Sequence, residues 1–99
     1  MKIISVRDKR IKSLIDAPNA STVKGFDPME VRKLGPMIVA IQAMTHPHQL
    51  MSVPSWRAHE LSGIEAGVWS LTVTRNYRLT FFVDMTAQTV SLLDYQDYH

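Results

Sequence analysis

Ninety-nine residues make one domain (1–99), with room for one modest core rather than two. The absence of cysteine excludes a disulfide framework and a thiolate metal site. A net charge of +2 permits an RNA or acidic-protein partner without requiring one. No apolar run approaches the roughly 18 residues of a membrane span. The first ten residues also lack the apolar core of a signal peptide, so we expect a cytoplasmic protein with no membrane partner.

In chain order, Lys2 to Val6 is β-prone and reads as a first strand. Asp8 to Asp16 carries Ile11, Leu14 and Ile15 at helical spacing, which predicts a short amphipathic helix ending at Pro18-Asn19. Asn19 to Gly25 is small and polar, a loop. Asp27-Pro28-Met29-Glu30 is a helix start: Asp27 can cap, Pro28 suits the first turn, and Glu30 stands three residues after the cap. Val31, Leu34, Ile38, Ile41 and Met44 then form an apolar stripe. Proline removes a backbone donor, so Gly35-Pro36 predicts a kink or a restart, giving two helical pieces. His46 to Ser55 reads as a loop whose two histidines are solvated rather than metal ligands. Trp56 to Leu61 alternates as a strand, and Ser62-Gly63 is a turn.

The last third reads as an antiparallel meander. Trp69, Leu71 and Val73 alternate with Val68, Ser70, Thr72 and Thr74, while Tyr77, Leu79, Phe81 and Val83 alternate with Arg78, Thr80, Phe82 and Asp84. Successive strand side chains point to opposite faces, so Arg78 belongs to the face away from Leu79 and Phe81. Helices early and strands late predict an α+β domain, with an N-terminal strand and two helices packed on one face of a mainly antiparallel sheet of about four to five strands. The other face should be partly open to solvent.

Several segments line up together. Trp56-Arg-x-His59-x-Leu-Ser-Gly63 is followed by Gly67-x-Trp-Ser-Leu-x-Val, then Tyr77-Arg78-Leu-x-Phe and Asp97-Tyr98-His99. Residues 56 to 99 resemble the HigB branch of the RelE/ParE superfamily of bacterial toxin–antitoxin toxins, and the first half matches in layout. The resemblance implies a RelE-like curved sheet and a ribosome-dependent endoribonuclease that cuts mRNA in the A site without a cofactor. It implies a helix-turn-helix antitoxin of the HigA type as partner, with a toxin–antitoxin heterotetramer as a candidate assembly. A ParE-like toxin that binds DNA gyrase and cuts no RNA is the alternative.

Metal-independent RNA cleavage needs a base for the 2′-hydroxyl, an acid for the leaving 5′-oxygen and a fixed cation for the phosphorane-like charge. His59 and His99 are the candidate proton-transfer pair, with the roles unassigned between them. Arg78 is the candidate cation because guanidinium stays charged and grips two phosphate oxygens. Asp97 is placed to orient an imidazole, and Tyr98 to stack on a base or bond a phosphate. Asp94-Tyr95 nearly duplicates this run, so Tyr98's role is open to Tyr95.

Overall fold

The structure, a computed structural model, describes residues 1–63 and 66–97, with the side chain of Leu92 outside that set. Strand β1 is Lys2–Ile3, helix α1 is Lys9–Asp16 and helix α2 is Pro28–Ala43. Two 3₁₀ turns follow, Pro47–Ser52 and Pro54–Trp56. Then come β2 (His59–Glu60), β3 (Val68–Thr72), β4 (Tyr77–Asp84) and β5 (Thr89–Asp97). The sheet order is β1-β5-β4-β3-β2, antiparallel except for β1, which runs parallel to β5. This is the expected α+β architecture.

Both helices begin where local chemistry satisfies their first amides. Asp8 caps α1 by accepting from the Arg10 amide at 2.8 Å. Asp27 accepts from the Glu30 amide at 2.9 Å, and Glu30 reaches back to the Asp27 amide at 3.0 Å. Helix α2 buries Val31, Leu34, Ile38 and Ile41 against the sheet residues Trp69, Leu71, Leu79 and Phe81 in one core cluster. Burying a side chain of this size contributes about 1.5–3 kcal/mol.

Three expectations need correction. The break at Gly35-Pro36 does not occur: α2 runs unbroken through Pro36. The carbonyl that loses its partner is that of Arg32, and Arg32 and Pro36 are both exposed, so water can serve it. Gly35 has no Cβ to clash with the proline ring, which removes part of the penalty on a helical residue before proline. Replacing Pro36 with alanine should therefore stabilise the fold by about 1–3 kcal/mol, read from urea unfolding. An unchanged midpoint would mean that the missing hydrogen bond costs nothing.

The second correction is the strand over Trp56 to Leu61, which shrinks to His59–Glu60. Trp56 closes a 3₁₀ turn, and Arg57 adopts a left-handed conformation at φ 48°, which breaks the extended run. The third is the first strand, which shortens to two residues, with Val6 alone returning to bridge Leu93.

The sheet also holds an irregularity between β4 and β5. Phe82 pairs with Ser91 but Thr80 pairs with Asp94, so β5 carries one extra residue opposite Phe81. This bulge rephases the strand. Val90 and Leu93 are both buried although three residues apart, and Asp94 returns to the open face.

Candidate active site on the open sheet face

Registered pairs across an antiparallel sheet share a face. One row of the face away from the core is therefore His59, Ser70, Thr80 and Asp94, across β2, β3, β4 and β5. The next row is Thr72, Arg78 and Gln96. Structure and periodicity agree that Arg78 faces away from Leu79 and Phe81. His59 and Arg78 stand two strands and one row apart, roughly 12 Å between Cα atoms by ladder spacing. A phosphodiester fits between side chains of that reach.

His59 is exposed on its short strand, and its Nδ1–H donates to the Arg57 carbonyl at 2.8 Å. A carbonyl can only accept, so in the neutral ring this contact puts the proton on Nδ1 and leaves Nε2 as the ring's acceptor. The left-handed turn at Arg57 aims that carbonyl.

Asp97 is placed differently. It pairs with Tyr77, on the helix-side parity of the strand and not in the rows of His59 and Arg78. Tyr98 and His99 lie outside the described residues. The Tyr95 alternative is answered by packing. Tyr95 is buried, stacks on Tyr77 with ring centroids 5.0 Å apart, and donates its hydroxyl to Glu30 at 2.5 Å. Burial first, and the Glu30 carboxylate next, push its phenol far above the ordinary value. Tyr95 is thus a bolt between β5 and α2, committed away from the open face.

Beside that bolt, Arg10 lies 4.4 Å over the Phe26 ring and pairs with Asp8 at 2.8 Å. Burial alone would raise the Asp8 carboxyl, but the hydrogen bonds and charge of Arg10 outweigh it and hold the group below its usual range. A depressed carboxyl stabilises the fold above its unfolded pKa, and that stability is lost as pH falls. Stability curves for wild type and Arg10→Met should therefore separate above about pH 4 and converge in acid. Curves that stay parallel through the acid limb would show that Arg10 does not hold Asp8.

The two loop histidines are occupied with each other. The His48 amide donates to His46 Nδ1 at 3.1 Å, the rings stack at 4.4 Å, and His48 meets the Trp69 ring edge-on. His48 is exposed, and His46 is half-buried as the cap of the first 3₁₀ turn. Among the described residues, no three His, Asp or Glu groups gather as metal ligands.

Two clefts flank the rows. Lys33, Arg57 and Arg75 line a cationic one of about 590 Å³ that reaches Thr72, next to Arg78. Over the bulge lies a smaller one of about 140 Å³, where Arg7, Thr80, Asp94 and Gln96 face Phe82 and Leu61. Sequence reasoning missed the second cleft. Its one local signal was Leu92-Leu93, two apolar residues in succession where strict alternation should hold.

A small α+β toxin fold is defined by this layout. The YoeB/ParE toxin from Agrobacterium tumefaciens superposes over 100% of both chains with a TM-score of 0.58 at 16% identity. At the level of sequence, the endoribonuclease HigB of Proteus vulgaris is 31% identical over 98 residues, spanning 98% of this chain and 99% of its own. The chain belongs to the HigB family. No family model matches it. No described helix is long and apolar enough to cross a membrane.

Proposed function

We propose that this protein is the toxin of a toxin–antitoxin pair and an endoribonuclease that cuts mRNA in the ribosomal A site. The observation that carries the reading is the common face of His59 and Arg78, next to a cationic cleft, in a chain of the HigB family. Lys33, Arg57 and Arg75 suit an RNA backbone because phosphate contacts position a strand whatever its sequence. In the reaction, His59 Nε2 accepts the proton of the 2′-hydroxyl as that oxygen attacks the neighbouring phosphorus. The phosphorus–O5′ bond breaks, and His99 supplies the proton to the departing 5′-oxygen. The products are a 2′,3′-cyclic phosphate and a 5′-hydroxyl, and no oxidant, reductant or metal enters the balance. Arg78 holds the non-bridging oxygens while their charge grows. Asp97 orients the His99 imidazole, and Tyr98 stacks on a base or bonds a phosphate. A HigA-type antitoxin silences the toxin, with two toxin–antitoxin pairs in a heterotetramer.

The test is cleavage of a defined message on programmed bacterial ribosomes, against the same message free in solution. Cutting confined to the A-site codon, with free RNA spared, supports the reading. Intact message together with arrested gyrase supercoiling would replace it with the ParE-like alternative.

A further inference from the structure

Two residues other than glycine take a positive φ among the described residues, Arg57 at 48° and Gln88 at 57°. Gln88 is the last residue of the turn between β4 and β5, where hairpins routinely use that conformation. Arg57 lies in no hairpin. It stands two residues before His59, between a 3₁₀ turn and a two-residue strand. A residue with a Cβ is rarely held there unless its surroundings require it.

We infer that Arg57 is a positioning residue for the base: its left-handed main chain turns its carbonyl onto His59 Nδ1, which keeps the other ring nitrogen, Nε2, as the one that takes the substrate's proton. The inference rests on the endoribonuclease reading for the role of His59.

Strand pairing alone does not fix that ring. The ladder with Ser70 holds the main chain of His59, but the side chain is exposed, so close packing does not set the angle of the imidazole. A neutral imidazole also has two tautomers, and the hydrogen bond at one nitrogen decides which is present. Among the described residues, the ring makes that bond to the Arg57 carbonyl, at 2.8 Å.

A regular strand would not offer this carbonyl. In extended backbone the carbonyls lie in the plane of the sheet and point at neighbouring strands, while side chains stand across it. Arg57 has ψ 44° where a strand has about 135°, so its carbonyl is swung out of that plane. Contacts on either side hold the pivot. The Arg57 amide donates to the Pro54 carbonyl at 3.1 Å and closes the 3₁₀ turn. Ala58 is buried in the core, and just beyond His59 the Glu60 carboxylate accepts the Gly67 amide at 2.8 Å.

Glycine is the residue that adopts a left-handed conformation most readily. The guanidinium gives a reason for arginine in its place, because it lines the cationic cleft with Lys33 and Arg75. Backbone and side chain of Arg57 thus serve two ends, and substitution can separate them.

The experiment compares Arg57→Gly, Arg57→Ala and Arg57→Val in the full chain, by NMR of the imidazole nitrogens and by cleavage kinetics on programmed ribosomes. All three lose the guanidinium alike, and they tolerate a left-handed backbone in falling order. In alkaline buffer that leaves the ring neutral, wild-type His59 should show a protonated Nδ1 and an unprotonated Nε2, its signals identified by their absence from His59→Gln. Arg57→Gly should keep that tautomer and hold kcat within about threefold of wild type, with KM raised by the lost phosphate contact. Arg57→Val should populate the other tautomer and cleave about 10–100-fold more slowly than Arg57→Gly, with Arg57→Ala between them. A wild-type ring protonated at Nε2 overturns the inference, whether or not the valine variant folds. So do variants of equal kcat and unchanged tautomer, which would leave Arg57 a cation and nothing more. A wild-type chain that shows the expected tautomer, loses it in Arg57→Val and cuts no message upholds the control of the ring and overturns the enzymatic reading, so the two failures are distinguishable.

Discussion

Replacing His59 with alanine should slow RNA cleavage by about 10²–10⁴-fold, the range for loss of a positioned acid or base, with the fold intact. The fold survives because the side chain is exposed and its single described hydrogen bond is to a local carbonyl, that of Arg57. The rate falls because the 2′-hydroxyl is a weak acid and attack without a base leaves its proton on the oxygen that must form a bond. The geometry makes a finer prediction than loss alone. With Nδ1 committed to the carbonyl, the reactive nitrogen is Nε2. His59→Gln keeps a polar atom in reach of the substrate but cannot take a proton, so it should be as slow as alanine. His59→Asn tests the other nitrogen: its amide can keep the bond to Arg57 without basicity, and should be slow as well. Single-turnover cleavage with a thermal melt of each variant decides it. A wild-type rate in any of the three would remove His59 from the chemistry.

The legible parts of this molecule are those set by neighbours in the chain. Asp27-Pro28-Met29-Glu30 announces a capping box because every group in it lies within one turn, and the structure forms that box. The alternation of Trp69-Ser70-Leu71 and of Arg78-Leu79-Thr80 sorts the side chains onto the two sheet faces for the same reason, although Ser70 and Thr80 are themselves buried on theirs. Arg78 is on the expected face because one pleat decides it. Illegible parts are set at long range. The parallel pairing of Lys2 with Thr89 joins residues from opposite ends of the chain, and nothing in either segment states its direction. The bulge opposite Phe81 changes which residues of β5 face the core, and it placed Asp94 in a cleft that alternation alone does not yield. Tyr95 looked like a spare copy of Tyr98, and only the contact with Glu30, 65 residues away, shows what holds it. Pro36 misled in the other direction. Its local rule is sound, but the exposed carbonyl of Arg32 and the missing Cβ of Gly35 lower the cost enough for a well-packed helix to continue.

Arg78 is where charge and geometry can be told apart. Arg78→Ala should lower kcat by about 10²–10³-fold, the usual loss when one fixed partner of a developing oxyanion is removed. Arg78→Lys keeps the positive charge but replaces a planar fork with a point charge on a flexible stem. If bidentate grip on the phosphorane oxygens matters, lysine should recover only part of that loss. If charge alone matters, lysine should restore most of it. The position favours the first outcome. Arg78 is half-buried between its cross-strand neighbours Thr72 and Gln96, so its stem is braced by the sheet in a way an ammonium group does not exploit. The decisive reading is how the loss divides between kcat and KM. A cation that serves the transition state lowers kcat while leaving KM near its wild-type value, because the extra charge exists only as the bond breaks. A rise in KM with kcat preserved would make Arg78 a docking contact like Arg57 and Arg75. The catalytic charge would then have to come from another cation on the same face.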